Sequence, residues 1–111
     1  MIKIAIASEK DIVAEHFGHC QNFTVYTIKE NEVINVVSIP NPGHRPGFLP
    51  LFLKELGICL IISGGIGQSA VSLFNEHGIE VIVGAKGNVS DVIKEFLKGR
   101  LESTKPFCQK G

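Results

Sequence analysis

Between Gly57 and Gly99 the chain alternates short, wholly apolar runs with helical segments that stop at glycine. Ile58 to Ser63 and Ile79 to Val83 are too short for helices and have no polar face, which reads as strands buried within a sheet. Between them, Gln68 to His77 places Ala70, Val71, Leu73 and Phe74 on one helical face and ends at Gly78 as a left-handed C-cap. A last helix starts at Asn88 or Ser90, turns Val89, Val92, Ile93, Phe96 and Leu97 inward and stops at Gly99. Ahead of this region, Phe48 to Leu56 spaces Phe48, Leu49, Phe52, Leu53 and Leu56 as a helix, with Pro50 tolerated in its first turn and Gly57 as its stop. Such strand–helix alternation implies parallel strands joined by right-handed crossovers.

The first half follows a different rule. Met1 to Ala7 is rich in isoleucine and reads as a buried first strand. Phe23 to Ile28 and Val33 to Ile39 form a hairpin about the polar turn Lys29-Glu30-Asn31-Glu32. Ser8 to Asn22 reads as a long polar loop, and Pro40 to Gly47 as a breaker-rich one. The order is strand, strand, strand, helix, strand, helix, strand, helix, which predicts one mixed sheet covered by helices. No repeat or linker divides residues 1–111, so a single domain is expected. In such sheets, sites collect beyond the carboxyl ends of the parallel strands. Three segments qualify: the loop after Ala7, the glycines after Ser63, and the turn after Val83.

Several function classes fall away. Lys and Arg total 11 against 11 Asp and Glu, with neither half a basic arm, so electrostatic capture of nucleic acid is not expected. The longest apolar run, around Ile58 to Ile62, is far short of the roughly 20 residues that cross a bilayer, and the N-terminus lacks a signal-peptide pattern. Membrane partners are therefore not expected. Cys20, Cys59 and Cys108 are odd in number and widely spaced, a poor disulfide framework that fits a reducing, cytoplasmic setting. Ser8, Ser63 and Ser69 have no nucleophile-elbow context, and no inward carboxylate pair emerges, so catalysis is not expected.

The segment His16-Phe17-Gly18-His19-Cys20 carries the most chemistry. Imidazole and thiolate are ligands for zinc, iron and copper, and Gly18 permits a bend tight enough for two of the three to share a metal. The competing reading is a loop in which Phe17 plugs the core and the histidines sit in solvent. His44 in the breaker-rich loop and Cys108 in the tail are more distant candidates, each equally readable as an exposed histidine and an ordinary thiol. Cys59 in an apolar run reads as a packing thiol, and His77 as a helix-end residue. Ser63-Gly64-Gly65-Ile66-Gly67 opens a helix, where bare amides attract anions and glycines admit a ligand to the backbone. It matches neither the dinucleotide nor the phosphate-loop motif, and close strand–helix packing explains the glycines as well. Lys86, in the turn Gly84 to Gly87, offers a cation at the same end.

Three stretches together resemble the nitrogenase iron–molybdenum cofactor biosynthesis accessory family, the NifX/NafY-like domains. They are His16 to Phe23 with Val25-Tyr26; Ser63 to Ala70 running on to Phe74, His77-Gly78-Ile79-Glu80-Val81 and Gly84; and Val92 to Gly99 with Leu101 and Cys108. The resemblance covers nearly the whole chain. It implies an α/β, ribonuclease H-like three-layer fold, with a five-stranded mixed sheet and helices on both faces. It also implies non-catalytic binding or carriage of an iron–sulfur cluster or an iron–molybdenum cofactor precursor, exchanged with cluster donor or acceptor proteins. The family's histidine falls on His16, the main expected metal ligand, with His19 and Cys20 of the same loop as near alternatives and Cys108 as a further candidate, and with Ser63, Gly64, Gly65, Ile66 and Gly67 as the candidate cofactor-binding turn. The family often ends with a cysteine followed shortly by histidine; here Gln109, Lys110 and Gly111 follow Cys108. A small-molecule or anion-binding regulatory module, using the Gly64–Gly67 turn without metal, is the alternative.

Overall fold

The computed structural model describes residues 1–43 and 47–99. Its elements are β1 (Ile2–Glu9), β2 (Ile12–Val13), β3 (Asn22–Lys29), β4 (Glu32–Pro40), α1 (Phe48–Glu55), β5 (Ile58–Ile62), α2 (Gln68–Glu76), β6 (Glu80–Ile82) and α3 (Val89–Leu97). The sheet runs β4-β3-β1-β5-β6, with β2 paired to β1 off that path. The β4, β3 and β1 contacts are antiparallel; β1–β5 and β5–β6 are parallel. This is the mixed three-layer sheet that the resemblance implies. No helix among the described residues is long and apolar enough to cross a membrane.

β1 lies inside the sheet, so its alternate residues feed two different cores. Ile4 and Ile6 face Leu60, Ile62 and Ile82, and α3 covers them with Val89, Val92, Ile93 and Phe96. Ala5 and Ala7 face the other way, under Leu49 and Leu53 of α1 and Val71 and Phe74 of α2. The alanines leave room for rings. Ala7 pairs directly with Phe23, and Phe17 packs edge-on to Phe74 at 5.1 Å and tilted to Phe23 at 5.9 Å. The two helical layers thus rest on opposite faces of one strand.

The segment after Ala7 is more ordered than its polarity predicts. β1 continues to Glu9, Lys10 takes a left-handed φ of 60°, and the chain returns as β2, with Ser8 opposite Val13. A two-residue strand is too short to leave a periodic signal, so the pattern gave only a loop. Phe17–His19 then forms a single 3-10 turn. The two sheet edges differ: β6 has three residues, whereas β4 has nine, exposed along nearly its whole length.

Candidate functional site

Three loops meet beyond the carboxyl ends of β1, β5 and β6, and backbone hydrogen bonds lace them together. The Gly64 amide donates to Ala14 O at 2.9 Å, and the Phe17 amide to Gly65 O at 2.9 Å, which makes His16 and Gly65 a parallel bridge. The Gly84 amide donates to Gly64 O at 2.7 Å, and the Val13 amide to Gly87 O at 2.9 Å. The glycines are needed for this approach. A Cβ on Gly64 would lie 2.8 Å from Ala14 O, and one on Gly65 would lie 3.0 Å from Glu15 O. Gly67 is different, since a Cβ there would meet nothing within 4 Å.

The seam opens into a cavity of about 610 Å³, whose lining includes His16, His19, Gly65, Ile66, Gly67 and Ser69 and no carboxylate. Both histidines are exposed. They reach the cavity from the two ends of the 3-10 turn, His16 from its extended N-cap and His19 from its last residue, while Phe17 and Cys20 are buried. The start of α2 faces the same cavity. Gly67 caps it without a side-chain hydrogen bond and no acidic residue sits in its first turn, whereas Asn88 caps α3 by accepting from the Ser90 amide. The amides from Ile66 to Ala70 donate to no described protein group. Those at a helix start carry partial positive charge.

The other sequence candidates separate from this cavity. Cys20 is 4% exposed and packs within the core that holds Phe17 and Phe23. Burial pushes its thiol up to about 11, the charge of Glu9 adds to the rise, and the hydrogen bond from Asn41 opposes it. A protonated, inward thiol is a poor metal ligand, which corrects the expectation that Cys20 joins the histidines. Ser63 is fully buried and donates to Ala14 O and Gly65 O at 3.4 and 3.3 Å. With the Gly64 amide also engaged, these two residues hold the seam, and the run of amides that donate to no described group begins two residues later, at Ile66. Lys86 lines neighbouring cavities of about 290 and 360 Å³ instead. Cys20 is a free thiol, and Cys59 packs against the core formed by Ile4, Ile6, Leu60 and Phe96. His44 and Cys108 lie outside the described residues. No three His, Cys, Asp or Glu side chains converge on one centre among the described residues.

Sequence reasoning missed Ser69, which lines the cavity from the first turn of α2. Its place in that turn, just after the glycines, was the available signal. It also missed Asn41, whose side chain donates to Cys20 O at 2.8 Å and fastens the far end of the histidine loop. A single asparagine in a breaker-rich stretch carries no such signal.

Comparison with known proteins places this arrangement among relatives. The family described as dinitrogenase iron-molybdenum cofactor matches residues 1–99. An uncharacterized protein of Methanocaldococcus jannaschii is 32% identical over 107 residues, covering 92% of this chain and 91% of its own. The crystal structure of PH0822 is 36% identical with a TM-score of 0.85, covering 98% of this chain and all (100%) of that one. A second M. jannaschii protein, described provisionally as a dinitrogenase, is 27% identical with a TM-score of 0.76 over 95% of this chain and 97% of its own. The apo form of the orange protein from Desulfovibrio gigas shares the fold, with a TM-score of 0.81 at 23% identity over 94% and 93% of the two chains.

Proposed function

The chain belongs to the dinitrogenase iron-molybdenum cofactor family, and from that premise we propose that it carries an iron–sulfur cluster or an iron–molybdenum cofactor precursor in the cavity between the histidine loop and the start of α2. The observation that supports this reading is the meeting of His16 and His19 with the uncapped start of α2 around one carboxylate-free cavity. Two imidazoles supply metal ligands, and free amides favour an anionic cargo. A cluster bound wholly by protein requires about four thiolates. The described residues offer no such set, so the donor set fits a preassembled cluster that brings its own sulfide and is held by few protein bonds. Few bonds favour release to an acceptor protein, which is what a carrier needs. The role requires no catalytic group.

The test is anaerobic reconstitution with iron and sulfide, followed by desalting and analysis of retained iron and sulfide. Wild type should retain both, and His16→Ala and His19→Ala should each retain several-fold less. Equal retention in wild type and both variants would remove the cavity from the reading. The metal-free alternative would show itself in the same series as stabilisation of wild type by small anions with no iron retained.

A further inference from the structure

We propose that the Ile66 side chain makes the cavity selective for sulfide-faced over oxygen-faced anions, an inference that rests on the carrier reading above and assigns its specificity to one residue. Ile66 is the single bulky side chain in Gly64-Gly65-Ile66-Gly67. It lines the cavity between the His16–Gly65 bridge and the start of α2. It packs against the core that includes Phe17, Val71 and Phe74, and it remains half-buried. The other apolar residues of the lining offer less surface: Phe17 is 4% exposed, and Ala70 carries only a methyl group. The backbone does not call for isoleucine here. The seam bonds run through Gly64 and Gly65, the Ile66 amide donates to no described group, and its φ is not positive. Any residue would supply that amide, so the choice of an aliphatic one points to the side chain.

The free amides and the imidazoles respond to charge, which oxygen-faced and sulfide-faced anions share. An N–H donor bonds oxygen at least as well as sulfur, so these groups alone would admit sulfate, phosphate or molybdate. An aliphatic wall acts differently. An oxygen-faced anion holds its water tightly, and against hydrocarbon it loses those hydrogen bonds without return. Sulfide is larger, softer and more weakly hydrated. It gives up water at lower cost and gains dispersion contact with the isoleucine. The amides and imidazoles thus attract anions, and Ile66 sorts them.

Anaerobic equilibrium dialysis of the full chain against tetrathiomolybdate and against molybdate, with bound molybdenum measured, tests it. The two are tetrahedral dianions of one metal and differ only in sulfur for oxygen. Wild type should bind the thioanion at least about tenfold tighter, a discrimination within reach of one aliphatic contact. Ile66→Val and Ile66→Thr introduce side chains of the same shape that differ by a methyl against a hydroxyl. Ile66→Val should keep the preference and Ile66→Thr should lose most of it, both with the far-ultraviolet circular dichroism of wild type. A purely structural role for Ile66 would change both affinities together and leave their ratio unmoved. Equal binding of the two dianions by wild type, or equal ratios in Ile66→Val and Ile66→Thr, overturns the proposal. Reconstitution with iron and sulfide separates the two levels. If wild type retains both and the ratio does not respond to Ile66→Thr, only the role of Ile66 falls. If wild type retains neither and binds neither dianion, the carrier reading falls with it.

Discussion

The amide of Gly64 donates to the carbonyl oxygen of Ala14 at 2.9 Å, and a Cβ on Gly64 would stand 2.8 Å from that same oxygen. The contact that joins the β1 exit to the β5 exit therefore leaves no room for a side chain. Both partners are backbone, so neither can rotate away. Gly64→Ala should force the loops apart and cost about 1–3 kcal/mol, as overpacking typically does. That is a fall of roughly 5–20 °C in Tm for a domain of this size. Thermal denaturation of the variant reads it directly. A Tm within a degree of wild type would mean that the seam is loose.

The histidine turn makes the opposite prediction. His16 and His19 are exposed and lie outside the core, so His16→Ala and His19→Ala should leave Tm within about 0.5 kcal/mol equivalent of wild type. Their effect should fall on iron retention alone. Retained iron and circular dichroism on the same samples separate the two. Loss of both together would assign the histidines to folding.

These contrasts show how far the sequence could be read. The glycine-stopped helices were legible because Gly57, Gly78 and Gly99 adopt φ of 85, 74 and 76°, which glycine alone adopts without strain. The meeting of the histidine loop with the Gly64–Gly67 turn followed from strand polarity, since loops after parallel strands emerge at one end. The division of labour inside each segment did not. His16-Phe17-Gly18-His19-Cys20 contains three donor side chains of two kinds, and only the folded backbone around the 3-10 turn sorts them, the two imidazoles exposed and the sulfur buried. Likewise Gly64 and Gly67 are the same residue in sequence, yet one closes a seam and the other borders open space. That difference depends on residues 14 and 15, fifty positions away, and no local pattern records it.

Cys20 supplies a pH prediction. Its thiol ionises near 9.0 when unfolded and near 11 in the fold, because burial disfavours the thiolate. Between those values the unfolded chain has released a proton that the folded chain retains. Each step upward in pH then favours unfolding. The contribution is complete below about 9 and gone above about 11. Wild type should lose more Tm than Cys20→Ala across this window, and iodoacetamide at neutral pH should leave the Cys20 peptide unlabelled until urea is added. Rapid labelling of the native chain would place the thiol at the surface.

The most discriminating substitution is at Gly67. The residue caps α2 at φ −62°, a value open to any side chain, with space around it. Aspartate there would accept from the free amides of the first turn and complement the helix dipole, worth about 0.5–1 kcal/mol. Gly67→Asp should therefore raise Tm by several degrees. The same carboxylate would occupy the amides that an anionic cargo needs and add a negative charge to a cavity that has none among its lining residues. Retained iron and sulfide should fall sharply in the more stable protein. A helix left uncapped at a stability cost is explained if its amides serve a ligand. If Gly67→Asp is stabilised and retains cargo as wild type does, the start of α2 is an ordinary helix end, and the cavity holds its cargo by the histidines alone.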